Sequence, residues 1–170
     1  MQKTRVLVTL GLLVALNILL SRFLSFQPTP FLRINFGFLA VAAAGILFGP
    51  LAGGAAAAVG DLLGYFIFPS GGAYFPGITV SALLAGVLYG LFLHGRRVTV
   101  LRCLAVNAAV CLCIDAGLTT WWLTMILPGK TFAVLFVPRL IKALIAIPVQ
   151  SFMLYAFWQV LERVRPAVSR

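Results

Sequence analysis

Residues Pro138–Pro148 read PRLIKALIAIP, and they set Arg139 and Lys142 inside an apolar run that extends from Phe132 to Leu161. Residues three apart on a helix share a face, so the two cations point the same way. A run of this length and polarity is a membrane span, and a charge within one costs about 2.5–3.5 kcal/mol on insertion scales. Such a charge normally faces a bundle interior or a wet cavity. The chain holds 13 Lys and Arg but only 3 Asp and Glu, so neutralising partners are scarce. This face reads as the wall of a pocket that receives an anion.

The composition outside this stretch agrees with a membrane setting. Of 170 residues, 62% are hydrophobic and 9% charged, with a mean hydropathy of +1.10. These values lie far from those of soluble domains. The formal charge of +10 does not read as a nucleic-acid footprint, because the cations stand at span ends or within spans and form no basic face on a soluble element. The first apolar run, Val6–Leu20, is longer than a signal-peptide core, and no small-residue cleavage site follows it before Arg22. Cys103, Cys111 and Cys113 share one apolar segment with no histidine nearby. They suggest neither a disulfide framework nor a zinc site.

Six spans are expected, near Val6–Phe26, Phe36–Phe48, Leu51–Phe68, Ile78–His94, Val98–Leu127 and Thr131–Leu161. No polar segment divides them, so residues 1–170 form a single all-α integral membrane domain. An even span count puts both termini on one side. That side carries Lys3, Arg5, Arg96, Arg97, Arg102, Arg163, Arg165 and Arg170, which makes it cytoplasmic. Gln27–Arg33, Pro69–Gly77 and Pro128–Lys130 are then external loops. The first two are apolar and pivot on glycine and proline, and they read either as lids or as interfacial turns.

Spans two to four carry small residues every fourth position, as in Gly45, Gly49 and Gly53 or Ala82, Gly86 and Gly90. Such spacing lets helix backbones approach closely in lipid. In span one, Gly11 and Ala15 leave a smooth stripe suited to another membrane subunit. Arg22, Asp61, Asp115, Arg139 and Lys142 cluster in the outer half, with Arg139 about 10 Å below the external end of span six. Asp61 and Asp115 cannot neutralise Arg22, Arg33, Arg139 and Lys142 together, although pairing of single acids with single cations and snorkelling of the rest is the competing reading. Trp121 and Trp122 near the external end of span five read as an aromatic belt or, beside Tyr74 and Phe75, as stacking surfaces. No nucleophile has a base at its depth, and GPLAGG is not followed by the Gly-Lys-Ser/Thr of a phosphate loop.

Three segments carry a resemblance. RINFGFLAVAAAGILFGPLAGGAAAAVGDLLG, FPSGGAYFPGITVSALLAGVLYGLFL and WLTMILPGKTFAVLFVPRLIKALIAIPVQ resemble the folate-type substrate-binding (S) component of energy-coupling factor vitamin transporters, over nearly the whole chain. The resemblance implies a six-transmembrane-helix bundle with cytoplasmic N and C termini, in a prokaryotic cell membrane. It implies capture of folate from outside beneath the loops after helices one and three. The chain itself is then no enzyme and needs no cofactor or metal; a transmembrane coupling subunit and two ABC-type ATPases supply the energy, with ATP hydrolysed in those partners. Gly11 and Ala15 are the expected partner contact. Tyr74, Phe75 and Trp121 or Trp122 are expected at the rings, and Arg22, Arg33, Arg139 and Lys142 at the carboxylates. Asp61 or Asp115 is expected at the pterin N–H groups. Other readings stand beside it: an S component for riboflavin, thiamine, biotin or a precursor, a small membrane enzyme acting on lipid phosphates, or a scaffold subunit that binds no ligand.

Overall fold

The computed structural model describes residues 2–22, 26–29, 32–34, 36–68, 74–126 and 132–168. Helix α1 (Gln2–Arg22) leads into an antiparallel hairpin of β1 (Phe26–Thr29) and β2 (Leu32–Ile34), paired through Phe26 with Ile34 and Thr29 with Leu32. Then come α2 (Phe38–Phe48), α3 (Pro50–Ile67) and α4 (Pro76–Leu93). The fifth span is composite: α5 (Val100–Ala109), a π-helical segment (Val110–Leu118) and α6 (Thr119–Ile126). Helix α7 (Phe132–Val168) closes the bundle. The expected helical bundle is present; α1 runs Gln2–Arg22 against the expected Val6–Phe26 and α7 continues to Val168, past the expected Leu161, while the other limits fall within about two residues. The hairpin at residues 26–34 is the element the sequence reading did not contain.

Among the described residues, four helical stretches are long and apolar enough to cross a membrane: Pro50–Ile67, Pro76–Leu93, Val100–Met125 and Val134–Val160. Val6–Ser21 and Phe38–Phe48 are shorter apolar helices. The outward surface is greasy, as a lipid-facing one must be. Leu51 is 84% exposed, Leu101 78% and Phe152 71%, values that would make little sense against water.

Helices α2 and α3 are separated by one residue, Gly49, whose φ of 94° only glycine adopts without strain. Its N–H donates to the Gly45 carbonyl at 3.0 Å and closes α2, while its own carbonyl accepts from Gly53 N–H at 3.0 Å and opens α3. Pro50 then occupies the first turn of α3, where its missing N–H costs nothing.

Helices α3 and α4 meet through their glycines. A Cβ added at Gly53 would lie 2.7 Å from the Gly45 Cα and 2.9 Å from the Gly86 carbonyl oxygen. One added at Gly45 would lie 2.8 Å from the Gly90 nitrogen. Backbone is in contact with backbone here, so no side-chain rotation relieves an added methyl. Gly53→Ala should therefore lower the stability of the detergent-solubilised protein by about 1–3 kcal/mol, the usual range for overpacking. A thermal melt checks this, with Gly11→Ala as the control because a Cβ there meets nothing within 4 Å.

Candidate functional site

A cavity of about 200 Å³ lies at the centre of the bundle. Its walls include Asn17 and Ser21 of α1, Phe38 and Val41 of α2, Asp61 of α3, Tyr89 of α4, Val110 and Asp115 of the π segment, and Lys142 and Gln150 of α7. Every span contributes a polar or charged group except α2, which offers a smooth apolar face.

Asn17 reaches the cavity through a slot between two glycines. A Cβ at Gly37 would meet Asn17 Oδ1, and one at Gly60 would meet Asn17 Nδ2. The side chain is thus held on both sides by backbone. Asp61 is held differently. Thr79 donates its hydroxyl proton to Asp61 Oδ2 at 2.8 Å, so the 3.0 Å contact between Thr79 and Tyr74 is Tyr74 donating to Thr79. This chain ties the segment entering α4 to the carboxylate in the cavity wall. The Tyr74 ring also rests against Tyr65, with centroids 5.3 Å apart, and lies near-parallel to Phe66 at 6.2 Å.

Below Tyr89 lies a buried polar relay. Tyr89 donates to Asn107 Oδ1 at 2.8 Å, and Asn107 Nδ2 donates to Ser151 Oγ at 3.2 Å. Ser151 in turn donates to the Ile147 carbonyl at 2.6 Å. A carbonyl can only accept, so the direction of the whole chain is fixed. Tyr89 is 1% exposed, Asn107 0% and Ser151 1%, so each group depends on the next for its hydrogen bond. Beside it, Cys111 Sγ–H donates to Gln150 Oε1 at 3.4 Å and orients the amide that lines the cavity.

The expected site residues divide. Asp61 and Lys142 line the cavity, joined by Asp115. Phe75 packs on Trp122, with ring centroids 5.5 Å apart, and Tyr74 belongs to the Asp61 anchor; these rings are absent from the cavity wall among the described residues. Trp121 is 58% exposed on the outer surface, which suits the belt reading and separates it from the cavity. Arg139 is likewise outside the described lining and donates from Nη1 to the backbone carbonyl of Asp115 at 2.9 Å. The side chains of Arg22 and Arg33, and the loop residues 69–73 and 128–130, lie outside the described residues. Gly11 and Ala15 sit exposed on the outer face of α1.

Among described residues the lining thus holds two carboxylates and one ammonium, where the sequence suggested a surplus of cations. The groups that the sequence reading missed are Asn17, Ser21, Tyr89 and Gln150. Their available signal was plain: amides and hydroxyls inside apolar spans seldom face lipid. Among the described residues no three His, Cys, Asp or Glu side chains gather as a metal site.

A second hollow of about 310 Å³ lies between the start of α2 and α7, lined mostly by Phe36, Pro138, Ile141, Ile145, Val149 and Met153. It shares Phe38, Lys142 and Gln150 with the central cavity, so these three side chains partition the two.

With this architecture in view, the comparisons define the class. The sequence model of the substrate-specific component of ECF transporters matches residues 5–157, and the chain belongs to that family: a membrane transporter subunit that selects a substrate and is not a catalyst. Among relatives, the folate transporter FolT of Clostridium novyi (strain NT) is 42% identical over 164 residues, covering 96% of this chain and 94% of the relative. The folate transporter FolT of Leuconostoc mesenteroides subsp. mesenteroides is 33% identical over 153 residues, covering 86% and 80%. Of solved structures, a crystal structure of FolT bound with folic acid superposes with a TM-score of 0.81 at 36% identity, covering 89% of each chain.

The buried relay makes a prediction of its own. Asn107→Ala removes the partner of both Tyr89 and Ser151, and leaving a buried hydroxyl unsatisfied costs about 1–3 kcal/mol. Asn107→Ala should therefore melt lower in detergent than wild type, whereas adding Tyr89→Phe to it should recover part of the loss. A two-variant melting series reads this directly.

Proposed function

We propose that this chain captures folate, or a reduced folate, as the substrate-specific subunit of an energy-coupling factor transporter in a prokaryotic cell membrane. The observation that carries the reading is the mixed polarity of the central cavity. Asp61 and Asp115 accept hydrogen bonds, Lys142 supplies positive charge, and Asn17 and Gln150 do either. A pterin presents an amino group and ring N–H donors beside ring acceptors, and its tail ends in carboxylates. The likeness to relatives named as folate transporters, and to a FolT structure holding folic acid, supports the same ligand.

A volume of about 200 Å³ falls below the ~300–1,000 Å³ usual for small-molecule sites. It suits the ring end of folate, with the remainder extending past the cavity mouth. Phe75 and Trp122 form an aromatic pair outside the described lining, and Trp122 Nε1 is a buried donor without a partner among the described residues, so this pair is the aromatic surface on offer to the rest of the ligand. Arg22 at the end of α1 draws the carboxylates, together with Lys142, which stands at the partition between the central cavity and the second hollow where the tail leaves the ring end. The exposed α1 face around Gly11 and Ala15 meets the transmembrane coupling subunit, and two ABC-type ATPases supply the work.

Isothermal titration of the purified protein with folic acid tests the reading, with riboflavin, thiamine and biotin as competitors. Folic acid alone should bind tightly. Lys142→Gln should weaken it by about 10–100-fold, the equivalent of one charge-assisted hydrogen bond of about 1.5–3 kcal/mol, without lowering the melting temperature of the unliganded protein. Tight binding of another vitamin in place of folic acid would refute it.

A further inference from the structure

Span five changes its winding at the cavity. The π-helical segment Val110–Leu118 bonds residues five apart and so stacks them on one face, whereas an α-helix stacks residues three and four apart. Val110 and Asp115 are five apart and both line the cavity. At about 100° per residue, an α-helical continuation from Val110 would carry position 115 about 140° away, off the cavity and toward the surface. It would present Cys113 or Ile114 instead. In the structure Ile114 and Ala116 are 5% and 1% exposed, whereas Asp115 between them is exposed and lines the cavity.

The π winding is intrinsically rare, so something outside the segment must favour it. The contact that does so comes from α7. Arg139 Nη1 donates to the carbonyl of Asp115 itself, at 2.9 Å, which fixes the rotation of that peptide. Lys142, one turn along the same helix, reaches the cavity directly. The two cations of PRLIKA therefore do different things.

We propose that Arg139 is a positioning residue that holds the π winding of span five, and that Asp115, turned into the cavity by that winding, is a specificity-determining residue that accepts hydrogen bonds from the N–H donors of the ligand's ring end. The assignment of those donors to a pterin rests on the folate reading above. The clamp of Arg139 on residue 115 does not. Asp61 Oδ2 already accepts from Thr79 and keeps only part of its acceptor capacity for the ligand, whereas Asp115 stands at the cavity wall to discriminate a ring bearing an amino group from one lacking it.

The test uses the full-length protein in detergent and two ligands, folic acid and its 2-desamino analogue. Asp115→Asn and Arg139→Gln should each weaken folic acid at least about tenfold, while the analogue stays within about twofold of its own wild-type value. The double variant should be no weaker than Asp115→Asn, since residues acting through one another are not additive. Additive losses, or equal losses on both ligands, overturn the positioning role. Failure of wild type to bind folic acid overturns the vitamin reading instead, and the clamp is then read without ligand. In a background with Cys103, Cys111 and Cys113 replaced by alanine, Asp115→Cys should react with a neutral maleimide at least about tenfold more slowly once Arg139→Gln is added, while Asp61→Cys should be unaffected. Equal rates at position 115 with and without Arg139 overturn it.

Discussion

A bilayer gives a polar group no water to fall back on, and that constraint draws polar side chains of the spans into relays. The Tyr89–Asn107–Ser151 relay ends on a backbone carbonyl, and the Asp61–Thr79–Tyr74 relay ends on an exposed hydroxyl. Each joins separate helices. The first ties α4, α5 and α7; the second ties α3 to the start of α4. Since a broken link strands a partner in a medium where it cannot be solvated, these bonds help to fix the relative positions of the spans alongside close packing. Lipid competes with apolar packing, and it does not compete for hydrogen bonds.

The cavity exists because small residues close the bundle on one side while polar ones hold it open on the other. Gly45, Gly53, Gly86 and Gly90 bring α2, α3 and α4 into backbone contact. That tight half acts as a rigid back wall. Helix α7, lying across from it, carries Lys142 and Gln150, so the hollow opens between the wall and α7. Gly37 and Gly60 serve a related purpose at the rim, where their missing side chains make the room that Asn17 occupies.

The spans were legible in the sequence because hydrophobic length is a local property, and the small-residue spacing foretold the α2–α4 contact for the same reason. Asp61 and Lys142 both line the cavity, in keeping with their depth in the spans, since charge inside a span has few places to go. Depth did not say which way a side chain faces: Arg139 stands outside the described lining and Trp121 on the outer surface. Span five winds as a π-helix over Val110–Leu118. Nothing local in VCLCIDAGL announces this, because the winding is held partly by an arginine on another helix. The hairpin at residues 26–34 escaped for a different reason, since two strands of four and three residues carry too little alternation to stand out beside prolines.

The change of phase also explains how one cavity can treat an amphoteric ligand. Had both cations of α7 faced inward, the interior would hold an excess of positive charge and would favour any anion, a sulfate as readily as a vitamin. With Arg139 turned to the backbone of residue 115, the described lining carries Asp61 and Asp115 against Lys142. Selection then depends on matching donors and acceptors in order along the ligand, which an inorganic ion cannot do. A ring rich in N–H groups attached to an acidic tail satisfies both ends. The same substitution of a carboxylate for a cation at the cavity wall lowers the attraction for simple anions and raises the cost of admitting a ligand that lacks the amino group, because the Asp115 carboxylate would then be desolvated without a donor.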